Sequence, residues 1–481
     1  MTVGDEGLPP RHPNALMNEQ RRPTRIREWK HAPWLAVLAV CLGALMSQLN
    51  ASIVTLAYPT LEHEFSVSLG AVTWVGLAYM LTIVSTLVIF GRVSDMVGRK
   101  LIYVYGLIVF IVGSLLCGTA SSLTVLIASR VLQAVGGAML QANSVAIVFL
   151  AAPRSSRAKA LGLQAAAQAL GLAVGPTLGG VLLGFLSWRW LFLVDVPVGL
   201  IALPAAIAFI PRSRHLAERE PLDWTGALLM VVAVSTLLGA LSFGKTLGWS
   251  SPGILAGFSL CVLAGTALVV HERRDSEPLL APSLFARVPI RFGLAGAALS
   301  YLVLFALLLL VPYEVERGLG FGPAVAGLDL LALPLAIGAT SPFAGWVALR
   351  LGGPISSMGS GVVAGCGVVL VAIAGRSTAL LVLGLALAGT GIGILNTVNN
   401  TGVMAALPTE QTGVGSGLLN TTRGLGTALG LAGGGALFVG LGGSSALEST
   451  VRSAFSVSTA CLAALCVIAG LLAGRAAQRT S

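Results

Sequence analysis

The chain has 481 residues, of which 56% are hydrophobic and only 10% charged, with 60 glycines. A water-soluble domain carries about a quarter charged residues, so this composition excludes one and points to a polytopic membrane protein. The net charge of +10 is explained by cations lying beside an anionic inner leaflet, without any nucleic-acid partner.

Residues 1–33 form a basic tail with no apolar stretch followed by a small-residue cleavage site, so no removable signal peptide is predicted. Apolar stretches of about 20 residues then recur, each enough to cross a hydrocarbon core of about 30 Å. Fourteen transmembrane helices are predicted, over 34–58, 70–90, 101–120, 123–150, 158–184, 190–211, 223–243, 252–270, 289–312, 322–349, 355–375, 378–405, 413–440 and 453–474. Basic residues mark the cytoplasmic side. They cluster in the N-terminal tail, in the loops after even-numbered spans and at the C-terminus, whereas only Arg189, Lys245, Arg317, Arg376 and Arg452 fall in the other loops. Both termini are therefore expected in the cytoplasm. Cys41, Cys117, Cys261, Cys366, Cys461 and Cys466 all fall in apolar spans without metal-ligand spacing, as packing residues do.

An internal repeat organises these spans. With GRVSDMVGR, from Gly91, laid on GWVALRLGG, from Gly345, Gly91 meets Gly345, Gly98 meets Gly352, and Asp95 meets Leu349. In the fifth and thirteenth spans Gly171, Gly175, Gly179 and Gly180 fall on Gly426, Gly430, Gly434 and Gly435. The pairing predicts an all-α membrane protein of two six-helix halves, 34–211 and 289–475. The segment 212–288 carries two inserted helices, and 476–481 is a short cytoplasmic tail. Duplicated halves are typical of secondary transporters, whose substrate site lies between them.

Several residues stand out on physical grounds. Asp95, at the end of the second span, is an acceptor-only group that a helix N-terminus and Arg99 can hold, while Gly91 and Gly98 permit close approach and positive φ. Arg92, Arg99 and Lys100 also suit an inner-surface anchor, the simpler alternative. Arg130, Gln133, Gly137, Gln141 and Ser144 form a polar stripe on the fourth span. A charge within a span usually faces a cavity or a partner, the alternative being an arginine that snorkels to the interface. Asn50, Gln164, Gln168, Asn396, Asn400, Asn420 and Arg423 extend the candidate cavity, against the alternative of helix-to-helix hydrogen bonds. Pro176 removes a helix hydrogen bond among glycines, which suits a flexible seam or plain close packing. Asp195 and Asp329 are carboxylates at span edges, expected one or two turns from the outer face. With Arg130 they are the candidates for proton coupling, or they are structural hydrogen-bonding groups.

GRVSDMVGRK resembles the loop motif between the second and third helices of the major facilitator superfamily. LIASRVLQAVGGA resembles its fourth-helix motif, and LGLAVGPTLGG, with Gly171, Gly175, Pro176, Gly179 and Gly180, its antiporter motif in the fifth helix. WRWLFLVDVPVG and SGLLNTTRGLGTALG are similar to runs in the fourteen-helix drug:proton antiporter branch. The resemblance implies the major facilitator fold and a loop of Gly91, Arg92, Asp95, Gly98, Arg99 and Lys100 that clasps the second half in the outward-open state. One departure is visible. The branch usually has an acid in the first helix where this chain has Asn50, in LNASIVTLAYP, and an asparagine in the sixth where this chain has Asp195.

The resulting expectation is a proton-driven exporter of small amphipathic compounds, a drug or a specific metabolite or lipid, in a bacterial inner membrane. A facilitator or ligand sensor of the same fold is the alternative. The expected partners are the bilayer and a small-molecule substrate, with no nucleic acid, obligate protein partner, metal or cofactor beyond the proton gradient. No nucleotide-binding loop, metal-ligand cluster or nucleophile–histidine pair suggests an enzyme. Because the first helix lacks the acid, cations are expected to be poor substrates.

Overall fold

The computed structural model describes residues 26, 29, 31–67, 69–213, 223–275, 282–321, 323–442 and 447–478. The basic residues Arg11, Arg21, Arg22, Arg25, Arg27, Lys30, Arg214, Arg219 and Arg479 lie outside the described residues, as do the side chains of Pro176, Lys245 and Arg317.

Among the described residues all regular structure is helical. The N-terminal half comprises α1 (Ala32–Ile53), α2 (Trp74–Val97), α3 (Arg99–Gly118), α4 (Leu123–Ala151), α5 (Arg157–Phe185) and α6 (Asp195–Phe209). The two inserted helices are α7 (Trp224–Leu247) and α8 (Pro252–Arg274). The C-terminal half comprises α9 (Val288–Tyr313), α10 (Pro323–Thr340), α11 (Gly353–Ile373), α12 (Thr378–Ala405), α13 (Thr412–Gly440) and α14 (Glu448–Ala477). Helix α10 continues toward the cytoplasm through Ala344–Leu351.

Among the described residues thirteen helices are long and apolar enough to cross a membrane, and α13 is not among them. Its 29 residues span about 43 Å, so length is not what it lacks. Glycines, threonines, Asn420 and Arg423 dilute its apolar character because it packs against protein on several sides, touching α9, α2, α4 and α7. Its partner in the repeat, α5, packs on α1 as α13 packs on α9. The glycines show why. A side chain at Gly171 would strike the carbonyl oxygen of Leu45, and one at Gly175 the Ser52 hydroxyl. Their counterparts Gly426 and Gly430 abut the carbonyls of Ala298 and Leu302 on α9. Each half thus seats its fifth helix on its first by the same device, while Gly180 has open space beside it.

Two seams join the halves, α2 on α13 and α5 on α10. The residues GRVSDMVGRK do not form a ten-residue turn. Helix α2 continues to Val97 and α3 starts at Arg99, leaving Gly98 alone outside the helices, at φ 122° and ψ 129°. A residue without Cβ reverses the chain there in one step, so the polar residues on both sides remain helical. Gly352, its repeat partner, also has positive φ, 81°. Arg99 and Lys100 are buried, not spread on the inner surface. Lys100 Nζ donates to the Ile207 carbonyl at 2.7 Å, and Arg92 is half-buried.

Candidate functional site

Asp95 closes the cytoplasmic end of the α2–α13 seam. Its carboxylate accepts from the backbone N–H groups of Gly413 and Val414, both at 2.8 Å, in the first turn of α13. A helix start supplies N–H groups with no intrahelical acceptor, and its dipole favours an anion. Arg99 completes the clasp, donating to Asp95 through Nε at 2.9 Å and Nη2 at 2.5 Å, and from Nη2 to the Thr409 carbonyl at 2.7 Å. Gly91 makes the approach possible, since a Cβ there would lie 2.5 Å from the Gly413 carbonyl oxygen. At the equivalent place in the other seam stands Leu349, 84% exposed.

Between the halves lies a cavity of about 790 Å³. Its lining runs from Leu87, Gln141 and Asn420 in the middle of their helices to Tyr58, Thr73 and Leu431 toward the outer ends. With the Asp95 clasp closing the α2–α13 seam on the cytoplasmic side, the lining continues toward the outer face. Aromatic rings of Tyr79, Tyr301 and Phe305 supply apolar surface, and Ser242, Phe243 and Leu247 show that the inserted helix α7 forms part of the wall. The only charged residues in the described lining are Arg130 and Arg423.

Arg423 Nη1 donates to Asn420 Oδ1 at 2.9 Å, and its guanidinium carbon lies 5.3 Å from the centre of the Tyr301 ring. Its buried Nε has no hydrogen-bond partner, and no acid pairs with it among the described residues. Asn420 Nδ2 also donates to the Gln141 carbonyl across the halves, at 2.9 Å, and Gln141 donates to Ser47 Oγ at 2.6 Å. A narrow extension of about 30 Å³ is lined by Gln168, Asn396, Asn400 and Arg423. There Asn396 Oδ1 accepts from Ser300, while Asn400 Oδ1 is buried without a partner.

Arg130, 1% exposed, reaches from the cavity wall into a chain of buried polar groups. Its Nη1 donates to Asn50 Oδ1 at 2.5 Å and Gln133 Oε1 at 2.6 Å, and its Nε to the Val75 carbonyl at 3.0 Å. The Tyr79 ring covers the guanidinium at 4.0 Å. Gln133 Nε2 in turn donates to Ser114. The other end of Asn50 donates, Nδ2 to Asp195 Oδ2 at 2.7 Å. The arginine and the aspartate therefore do not touch. One carboxamide on α1 lies between them, its oxygen toward the cation on α4 and its nitrogen toward the anion on α6. An apolar cluster including Ile53, Val75, Trp188 and Phe192 surrounds this chain, which keeps its electrostatics strong.

The structure thus separates the predicted polar residues into groups. Gln141, Gln168, Asn420 and Arg423 line the main cavity, Asn396 and Asn400 its extension, and Arg130 both the cavity and the buried chain. Asn50 and Gln133, expected in the lining, sit behind it and are wholly buried. Gln164 is buried and lines neither space. Asp329 is 8% exposed on α10, with one carboxylate oxygen unpartnered, and it too lines neither. Tyr79, Tyr301 and the α7 contribution have no signal in the sequence, where an aromatic ring in an apolar span looks like any other core residue.

A family model described as the Major Facilitator Superfamily matches residues 40–431. Multidrug resistance protein Stp of Mycobacterium tuberculosis is 30% identical over 400 residues, 83% of this chain and 74% of that protein. The tetracenomycin C resistance and export protein of Streptomyces glaucescens is 30% identical over 330 residues, 67% of this chain and 60% of that one. The crystal structure of the human organic anion transporter MFSD10 superposes with a TM-score of 0.65 at 17% identity, covering 92% of this chain and 99% of that one. At that identity the likeness concerns the fold.

Proposed function

This chain belongs to the major facilitator superfamily of membrane transporters that move small molecules, not enzymes, and on that premise we propose that it exports neutral or weakly acidic amphipathic compounds in exchange for protons. The bacterial sources of its relatives favour the plasma membrane. Alternating access would carry the substrate from a cytoplasm-facing cavity to the outward-facing one described above.

The observation that carries this reading is the charge of the cavity. Two arginines, amides and aromatic rings line it, and no carboxylate does among the described residues. A lipophilic cation meets no opposite charge on such a wall and two like charges, whereas an anionic or hydrogen-bond-accepting amphipath meets Arg423 with an N–H group to spare.

Proton exchange is assigned to Asp195. In its ionised form the chain Arg130–Asn50–Asp195 has no net charge. Taking up a proton leaves Arg130 as an uncompensated buried cation, a costly state unless the packing around it opens to water or to an anion. Protonation thereby biases the arrangement of α1, α4 and α6, and the halves respond at the Asp95 clasp. The clasp cannot release the cytoplasmic side without breaking the Gly413 and Val414 hydrogen bonds.

Uptake into everted vesicles tests the reading, with a panel of neutral, acidic and cationic amphipaths in the presence and absence of an imposed proton gradient. Gradient-driven accumulation of the neutral or acidic compounds is expected. Accumulation restricted to cations would overturn the substrate class, and equal equilibration with or without the gradient would identify a facilitator.

A further inference from the structure

A second pocket, of about 430 Å³, lies away from the central cavity and shares none of its lining. It is built at the outer ends of α9, α11 and α14. Glu314 directly follows α9, whose 26 residues measure about 39 Å. That exceeds the hydrocarbon thickness of about 30 Å, so Glu314 stands at the level of the outer headgroups. The chain there makes a π-helical turn, Glu314–Gly318, a wider turn common at functional positions. Gly318 leaves the space the acid occupies, since a Cβ would lie 2.6 Å from Glu314 Oε2.

The pocket has one anion and one cation. Glu314 is 5% exposed, and its Oε2 is buried with no hydrogen-bond partner among the described residues. Arg452, from the first turns of α14, approaches Oε1 at 3.7 Å and is 34% exposed. The acid therefore stands at the back and the cation at the mouth. An unmatched carboxylate oxygen so deeply buried is a costly feature unless a donor fills it.

The third element is an apolar track. Ile355, Met358, Val362, Val369 and Ile373 recur at helical spacing along α11 and are 62%, 37%, 48%, 44% and 67% exposed. In a membrane protein such a stripe faces acyl chains, and this one ends at the pocket, where Val369 and Ile373 form part of the wall.

We propose that this pocket holds the headgroup of an outer-leaflet phospholipid bearing a primary amine, of the phosphatidylethanolamine type. The ammonium donates to Glu314 Oε2 at the back, the phosphate meets Arg452 at the mouth, and an acyl chain lies along the α11 stripe. A choline headgroup has no N–H to donate, and a glycerol headgroup offers no cation to Glu314, so the site discriminates among lipids by chemistry.

The purified full-length protein in detergent would be titrated with phosphatidylethanolamine, phosphatidylcholine, phosphatidylglycerol and soluble phosphoethanolamine, with bound lipid read by native mass spectrometry. Phosphatidylethanolamine is expected to bind the unaltered protein about tenfold more tightly than the other two lipids, the value of one charge-assisted hydrogen bond. Phosphoethanolamine, lacking the acyl chain, should bind weakly. Glu314→Gln and Arg452→Ala should each weaken phosphatidylethanolamine binding about tenfold. Equal binding of the three lipids, phosphoethanolamine binding as tightly as the lipid, or unchanged binding in both variants would overturn the proposal. The lipid comparison on the unaltered protein decides the matter even if a variant does not fold.

Discussion

Asp95 and Asp195 are both fully buried aspartates with an arginine close by, and their surroundings differ in kind. Asp95 receives two N–H groups of α13 and two from Arg99, so four donors meet its carboxylate and two of its bonds cross between the halves. Asp195 receives one hydrogen bond among the described residues, from Asn50, and stays within its own half. A carboxylate held by four donors, two of them on the opposite half, acts as a fastening. Asp195, held by a single amide with its counter-charge a residue away, is the group to which we assign the proton exchange.

Breaking the coupling group should have the largest effect. Asp195→Asn keeps the shape and a partner for Asn50, so expression and insertion should stay at the unaltered level while gradient-driven vesicle uptake falls to background. Arg130→Ala should come next. It leaves Asp195 without its counter-charge, and removing one partner from a buried charge network costs about 3–5 kcal/mol, so both uptake and thermal stability in detergent should fall. Arg130→Lys should be intermediate, because a lysine cannot donate to Asn50, Gln133 and Val75 in the arginine's fixed fork.

Exchanging the two central residues sharpens the comparison further. Asn50→Asp alone places two acids within hydrogen-bonding distance and should shift the vesicle panel toward cations, with greater sensitivity to pH. The double variant Asn50→Asp with Asp195→Asn transposes carboxylate and amide across one hydrogen bond and should recover gradient-driven uptake that Asp195→Asn alone lacks. Failure of the double variant, with normal expression, would mean that Asp195 acts from its own position on α6 and not through the shared chain.

Weakening the fastening should slow turnover without abolishing it. Asp95→Asn forfeits charge-assisted bonds worth about 1.5–3 kcal/mol each, so the cytoplasmic seam should open more often. Faster labelling of a cysteine introduced beside Gly413 would report this. The smallest effect is expected at the unfastened seam, where Leu349→Asp adds an acid at an 84% exposed position and should change stability by less than about 0.5 kcal/mol.

Much of the scaffold was legible in the sequence, because glycine spacing records where backbones must approach. Gly171 and Gly175 match Gly426 and Gly430 in the internal repeat, and the structure seats both pairs against the first helix of their half. The helical extent of GRVSDMVGRK was not legible, since a single glycine with positive φ makes the reversal that a ten-residue loop suggested. The bridge from Arg130 through Asn50 to Asp195 was equally hidden. Asn50 and Asp195 are 145 residues apart, and no periodicity relates positions on different helices. The sequence did show both as departures from the family pattern, and only the fold shows that the two departures face each other. The contribution of α7 to the cavity likewise depends on where an inserted helix docks, which its apolar composition leaves open.

The distinction between the two aspartates is tested most directly by infrared difference spectroscopy of the purified protein, following the carboxylic acid C=O stretch as pH is varied. Asp195→Asn should remove one titrating component of the buried band that the unaltered protein and Asp95→Asn both show, leaving only what Glu314 and Asp329 contribute. A spectrum unchanged in Asp195→Asn, or the same loss in Asp95→Asn, would contradict the assignment of proton exchange to Asp195.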